Sequence, residues 1–203
     1  MEFLHWLQDS GLATWVRESD ALGSTFPYTF LLALHAIGLA MLVGPNVAVD
    51  LRILGYGRSV PLGSMEGFFR QMWVGFWFNA LSGLVLLPTS AVTFLTDPIF
   101  YVKLGSIALA VVTLQMIYGE VFRGRSGRGD TPPTTKAKIL AGTSLVLWVV
   151  AIVSGRLMAY NGDVRRSTLN AFLLLLLLLL VGGVGWRAIA RGPGWGVSLR
   201  RSM

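Results

Sequence analysis

Five apolar blocks dominate the sequence, and each is about as long as a helix that crosses a lipid bilayer. Such a helix needs ~20 consecutive residues that are mostly apolar. Of the 203 residues, 54% are apolar and only 13% are charged. We therefore predict an all-α integral membrane protein, in which a four-helix transmembrane bundle is followed by a C-terminal fifth transmembrane anchor helix. The blocks cover residues 26–46, 68–95, 99–122, 139–160 and 171–189, approximately.

The spacing of these blocks predicts three regions. Residues 1–25 mix apolar and polar side chains and place Trp6 and Trp15 among them, which is typical of an interfacial amphipathic helix. Residues 26–161 hold the four-helix bundle. Residues 162–203 contain a run of eight leucines and a basic tail, which favours a lipid-facing anchor with little specific packing. A Gly-, Pro- and base-rich segment at 123–138 is predicted to be a loop. Prolines predict three further features: an end of the first span near Gly44-Pro45, a tilt or kink at Pro88, and a tight turn at Asp97-Pro98.

The distribution of basic residues predicts the orientation in the membrane. Cytoplasmic loops of membrane proteins carry an excess of Lys and Arg. With the N-terminus outside, twelve of the 17 basic residues fall on the inner side and only Arg17, Arg165 and Arg166 on the outer side. We therefore expect an outer N-terminus and a cytoplasmic C-terminus. The twelve are Arg52, Arg58, Arg70, Arg123, Arg125, Arg128, Lys136, Lys138, Arg187, Arg191, Arg200 and Arg201.

Three basic side chains within the spans are candidate site residues. Ionisable groups inside a bilayer are costly, at ~2.5–3.5 kcal/mol for a central Arg, Lys or Asp on insertion scales. With ~1.5 Å of rise per residue, His35 lies at a depth of roughly 13 Å from the outer surface, Lys103 at about 7 Å and Arg156 at about 6 Å. We expect an outward-facing cationic pocket, with Asn79 near the midplane beneath it and Tyr160 in its wall.

This predicted pocket suits several ligands. His35 could bind the iron of haem b while Lys103 and Arg156 pair with the propionates, and a quinone or an anionic lipid headgroup would also suit it. The haem could be five-coordinate, or a second axial ligand could come from His5, the only other histidine, or from a methionine such as Met158. The chain has no cysteine, which excludes thiolate metal sites and covalent haem attachment.

A structural interpretation of the same residues stays open. His35 could instead be hydrogen-bonded to Ser, Asn or a backbone carbonyl of a neighbouring helix. Lys103 and Arg156 are near enough to the interface to extend their charges into it. Asp50 and Arg52 are interpreted as topology anchors at the inner surface, without a chemical role.

Three segments carry a resemblance to known membrane proteins: FPYTFLLALHAIGLAMLVGPNVAVDLRILG, DPIFYVKLGSIAL and SGRLMAY. Together they resemble an uncharacterised family of small bacterial four-helix membrane proteins. More loosely, they are similar to the membrane domains of CopD copper-resistance proteins and to four-helix b-type cytochromes. The resemblance implies the bundle fold, a bacterial inner-membrane location and motif positions at His35, Asp50, Arg52, Lys103 and Arg156.

We expect a protein without catalytic activity of its own. The sequence contains no hydrolase, kinase or zinc-protease motif. The leading hypothesis is an electron-transfer subunit that holds haem b or quinone in the outer-leaflet pocket and serves a partner membrane protein. The alternative is a structural accessory subunit of a larger membrane complex, with lipid or pigment contacts only. A small transporter is a third, weaker interpretation.

Overall fold

Helices account for the fold in the computed structural model. The structure describes residues 1–18, 26–123, 132–160 and 164–174, and among these residues it contains helices and turns but no strand. The chain forms two compact units, Met1–Met158 and Ala159–Met203. In chain order, the first unit contains α1 (Glu2–Gln8), α2 (Gly11–Glu18), α3 (Phe26–Leu54), α4 (Phe68–Leu86), α5 (Ala91–Thr96), α6 (Pro98–Ile117) and α7 (Thr135–Leu157).

Four of the predicted spans correspond to helical segments long and apolar enough to cross a membrane. Their mean hydropathy lies between 1.6 and 2.0, and they carry few charged residues. The structure therefore confirms the all-helical prediction and four candidate membrane-spanning helices. These segments are Pro27–Leu54, Leu62–Thr96, Pro98–Arg123 and Thr135–Leu157.

Local sequence signals explain where two of these helices begin. The Asp97 carboxylate accepts a hydrogen bond of 3.0 Å from the backbone N–H of Ile99, and Pro98 occupies the first turn of α6. The Thr134 hydroxyl caps α7 by accepting a 3.1 Å bond from the N–H of Ala137. The tight turn predicted at Asp97-Pro98 is therefore present as the start of α6.

Prolines change the spans in two different ways. We expected the first span to end near Asn46, but α3 continues through Pro45 to Leu54. A proline inside a transmembrane helix removes one N–H without ending the helix when neighbouring helices hold the chain in place. The predicted kink at Pro88 is a 3₁₀ turn, Leu87–Ser90, that separates α4 from α5.

The bundle is built around α3, which packs along both α4 and α7, while α6 packs along α7. Helices α3 and α4 run antiparallel and approach closely at Gly38 and Gly75. A Cβ atom added to Gly38 would lie 2.5 Å from the backbone nitrogen of Asn79, and one added to Gly75 would lie 2.8 Å from the carbonyl oxygen of Gly38. Small residues permit this contact, as is usual where helices pack in lipid.

The N-terminal helices lie against the turn after α4. The Gln8 side chain accepts a hydrogen bond from the N–H of Val92, and Arg17 donates to the carbonyl of Thr89. Trp6 and Trp15 are exposed, at 67% and 58%, as an interfacial helix pair requires. The interfacial location of α1 and α2 stays a prediction.

The second unit contains a helix, α8, at residues 164–174. Its exposed side chains include Val164 and Leu173. Residues 175–189 of the predicted anchor helix and the basic tail lie outside the described residues, as do residues 124–131 of the predicted loop.

Candidate functional site

His35 joins α3 to α4 through its ring. Nδ1 lies 2.9 Å from the carbonyl oxygen of Asn79 and 3.2 Å from the hydroxyl of Ser82. The ring fits beside Gly83, where an added Cβ would lie 3.0 Å from its Cε1 atom. The missing side chain at Gly83 is what gives the imidazole room between the two helices.

The contact with Asn79 determines the tautomer of the ring. A carbonyl oxygen can only accept, so Nδ1 carries the proton and donates it. In the neutral ring this leaves Nε2 with its lone pair. A histidine held in this way presents Nε2 as a ligand or a proton acceptor, and a backbone carbonyl on the other nitrogen is the usual arrangement for metal-ligating histidines.

Asn79 reinforces the same helix pair. Its Nδ2 atom donates a 2.8 Å hydrogen bond to the backbone carbonyl of His35. The Ser82 hydroxyl bonds to the carbonyls of Phe78 and Asn79 within its own helix. Asn79 is therefore adjacent to His35, as we predicted. Its side-chain amide, however, is used in the hydrogen bond that connects α3 to α4.

Lys103 lies in the same region of the bundle. Its half-buried side chain crosses Gly155 of α7, with Cε 3.6 Å and Nζ 3.8 Å from the position of an added Cβ. Its charge is within electrostatic range of the His35 ring. The structure therefore brings His35 and Asn79 into contact, and Lys103 lies against α7, close enough for its charge to act on the ring.

The other predicted site residues have different surroundings. Arg156 follows Gly155 and is exposed near the end of α7. Tyr160 belongs to the second compact unit and is described apart from the bundle.

The described membrane-spanning helices offer a haem no second histidine besides His35. His5 is exposed on α1, and Met158 is the residue that follows the last turn of α7. Across the described ranges, no group of three or more His, Asp and Glu side chains is placed to hold a metal ion. The residues present therefore do not fit a six-coordinate bis-histidine haem.

A buried polar cluster between α3 and α7 is a feature that we did not predict. We define it as Asn46, Asp50, Ser144 and Trp148, whose exposed fractions are between 0% and 1%. The expectation that Asp50 lies at the inner surface as a topology anchor is wrong, because α3 extends one more turn beyond it and α7 covers it. The sequence did contain a signal for this cluster. Asn46 and Asp50 are four residues apart, as are Ser144 and Trp148, and this spacing places each pair on one face of its helix.

A groove of about 480 Å³ opens between α4 and the C-terminal part of α6. Arg70, Gln115 and Arg123 supply its polar groups, and Phe69 and Trp73 are among its apolar ones. The α6 side of the groove includes a π-helical segment, Tyr118–Arg123. This groove lies at the predicted inner end of the bundle and is separate from His35.

Comparison of the chain with protein-family models, with curated proteins and with solved structures finds no match. The family resemblance of the three sequence segments therefore stays a prediction.

Proposed function

We propose that this chain is a non-catalytic redox subunit of a bacterial inner membrane. In this proposal His35 and Lys103 hold a quinone in the outer half of the bundle, and electrons pass to or from a partner membrane protein. The observation that carries the proposal is the His35 ring, which is fixed by the Asn79 carbonyl with Nε2 as its acceptor and has the Lys103 charge nearby.

The two side chains have complementary hydrogen-bonding roles for a quinone. The Lys103 ammonium can donate to a carbonyl oxygen, and His35 Nε2 can accept the hydroxyl proton of the reduced form. A bound quinone would supply the electron-carrying group, which the chain itself lacks. A quinone needs no axial ligand, so the lack of a second histidine in the described membrane-spanning helices counts against a bis-histidine haem b but not against a quinone.

The test is the cofactor content of the protein purified from its native membranes in mild detergent. We expect a quinone in the organic extract, in near-stoichiometric amount, and at least a tenfold reduction in both His35→Ala and Lys103→Met. His5→Ala is the matched control, because this second histidine is exposed on α1. A Soret band that disappears in His35→Ala would overturn the quinone in favour of haem b.

The alternative, a structural accessory subunit, has its own supporting observation. Nδ1 of His35 and Nδ2 of Asn79 both form hydrogen bonds that join α3 to α4, which is what a purely structural pair would do. A colourless preparation free of quinone, which co-purifies with a larger membrane complex, would overturn the redox proposal and support this one.

The proposed location and orientation can be tested independently. We propose a multi-pass protein of the bacterial inner membrane, with the N-terminus outside and the C-terminus in the cytoplasm. Because the sequence contains no cysteine, single cysteines at Ser10 and Thr134 can be labelled without background. A membrane-impermeant thiol reagent should label the Ser10 variant in intact spheroplasts and the Thr134 variant only after lysis. The reverse pattern would overturn the orientation.

A further inference from the structure

The cluster of Asn46, Asp50, Ser144 and Trp148 contains polar atoms that the protein leaves without partners. Its one described internal hydrogen bond, of 2.9 Å, runs from the Ser144 hydroxyl to Oδ1 of Asn46. Both carboxyl oxygens of Asp50, Nδ2 of Asn46 and Nε1 of Trp148 are buried and have no hydrogen-bond partner among the described residues. Buried polar atoms nearly always have a partner, so four such atoms on two packed helices indicate that something other than protein fills these roles.

Position separates this cluster from the proposed quinone site. Asp50 follows His35 by fifteen residues on the same helix, which corresponds to about 22 Å along the axis at ~1.5 Å per residue. His35 also faces α4, whereas Asn46 contacts α7. Ile53 and Ala137, both 0% exposed, lie between Asp50 and the predicted inner ends of α3 and α7. The Asp50 carboxyl is therefore closed off from both the quinone site and the inner surface.

The charged groups on neighbouring elements are engaged elsewhere or exposed. On α3, Arg52 donates to the carbonyls of Val60 and Arg58. On α7, Lys136 pairs with Glu120 of the π-helical segment at 3.0 Å. The remaining charged side chains of the elements around the inner half of α3 are exposed or line the groove: Arg58, Glu66, Arg70, Arg123 and Lys138.

A buried carboxylate without a counter-charge is very unfavourable in a medium of low dielectric constant, and such a group takes up a proton instead. We propose that Asp50 is a proton-binding site: it carries one proton in the folded bundle and shares bound water with Asn46 and Trp148. The proposed ligand of the α3–α7 interface is thus a proton together with bound water. It is independent of any quinone at His35.

The buried atoms without a hydrogen-bond partner favour water and a proton over a metal cation as the ligand. A sodium ion would take the oxygen atoms of Asp50, Asn46 and Ser144 as ligands. It would leave the N–H groups of Asn46 and Trp148 unpaired, and these need an acceptor. Water can accept from both N–H groups and donate to a carboxyl oxygen, while the protonated acid removes the charge.

Infrared spectroscopy of the full chain in lipid tests this proposal. We expect, at neutral pH, the carbonyl stretching band of a protonated carboxylic acid, which shifts to lower frequency in D₂O. The band should be absent from Asp50→Asn, an isosteric and neutral replacement. It should be unchanged in the matched control Asp9→Asn, which alters an exposed carboxylate on the N-terminal segment.

A second variant keeps the test decisive if Asp50→Asn does not fold. Trp148→Phe removes one N–H donor and should shift the frequency of the band without abolishing it, which assigns the band to this cluster. Absence of the band from the folded wild-type protein at neutral pH would overturn the proposal. A band that appears only after sodium is removed would also overturn it, in favour of a cation site.

Discussion

Two polar regions on the same helix differ in how their hydrogen bonds are satisfied. Towards α4, the His35 and Asn79 side chains each bond to a carbonyl of the opposite helix. Towards α7, only the Asn46–Ser144 bond forms, and both carboxyl oxygens of Asp50 lack a partner among described residues. Polar groups are tolerated inside a membrane bundle when protein satisfies them. In the first region the protein satisfies the groups that join the two helices and leaves Nε2 of His35 for a ligand, whereas in the second region several buried polar atoms are left for one.

The packing of the two interfaces differs in a related way. Glycines at 38 and 75 bring the backbones of α3 and α4 into close contact at these two positions, where no side chain larger than hydrogen fits. The buried stripe of α7 instead combines small residues with the large ring of Trp148: Ala137, Ala141, Ser144, Trp148, Ala151 and Ser154.

The largest expected effect comes from substituting Gly38 in the satisfied interface. In Gly38→Ala, the new methyl group would meet the backbone nitrogen of Asn79, which cannot move without separating the helices. We expect a loss of about 3 kcal/mol in the free energy of unfolding, at the upper end of the range for overpacked cores. The measurement is unfolding of the purified protein in mixed micelles titrated with sodium dodecyl sulfate.

Gly105→Ala is the matched control for this substitution. Gly105 also lies within a membrane-spanning helix, but an added Cβ there meets nothing within 4 Å. It should be neutral or slightly stabilising. Equal effects of the two substitutions would contradict the close approach of α3 and α4.

Asn46→Leu tests the second region, and the sign of its effect is the informative quantity. If water and a protonated Asp50 occupy the cluster, the substitution removes the bond to Ser144 and a donor to the water. We then expect a loss of about 1–2 kcal/mol in unfolding free energy, near the upper limit for polar contacts in membrane bundles. A dry cluster would give no loss or a gain, because removing the amide N–H, which then has no acceptor, would offset the lost bond to Ser144.

Ser82→Ala should have a smaller effect than Asn46→Leu. The Ser82 hydroxyl donates to carbonyls of its own helix, which already accept intrahelical bonds, so its removal leaves no orphaned group. We expect about 0.5 kcal/mol, the average value for such contacts in membrane proteins. A loss as large as that of Asn46→Leu would show that Ser82 bonds to His35 and holds the ring in place.

Sequence patterns predicted the architecture well because lipid imposes strict rules on length and hydropathy. The four core spans, the turn at Asp97-Pro98 and the break at Pro88 all follow from those rules. Counting depth along two helices also predicts that His35 and Lys103 share the outer half of the bundle, and this grouping stays a prediction. Depth counting cannot give the rotation of a helix about its axis, which explains why the burial of Asp50 against α7 was missed.

Asp50 also shows why the end of a span is difficult to predict. Gly44-Pro45 indicated a helix end, and a helix ending there would have placed Asp50 in water. In the structure, α3 tolerates Pro45 and continues to Leu54, so Asp50 enters the core instead. The interpretation of Asp50 as a surface anchor or as a candidate proton site therefore depended on whether the helix ends at Pro45.

The smallest expected effect is at the surface pair that joins the start of α7 to the π-helical segment. Glu120 bonds to Lys136 and to the Thr134 hydroxyl, but the lysine side chain is 65% exposed. Exposed ion pairs of this kind are screened by solvent and salt. Glu120→Gln should therefore leave the melting temperature unchanged within error at 0.15 M salt, where the Debye length is about 8 Å. A clear loss of stability would show that satisfied polar contacts outside the α3–α4 interface also hold the bundle together, and the contrast between the two regions would then lose its basis.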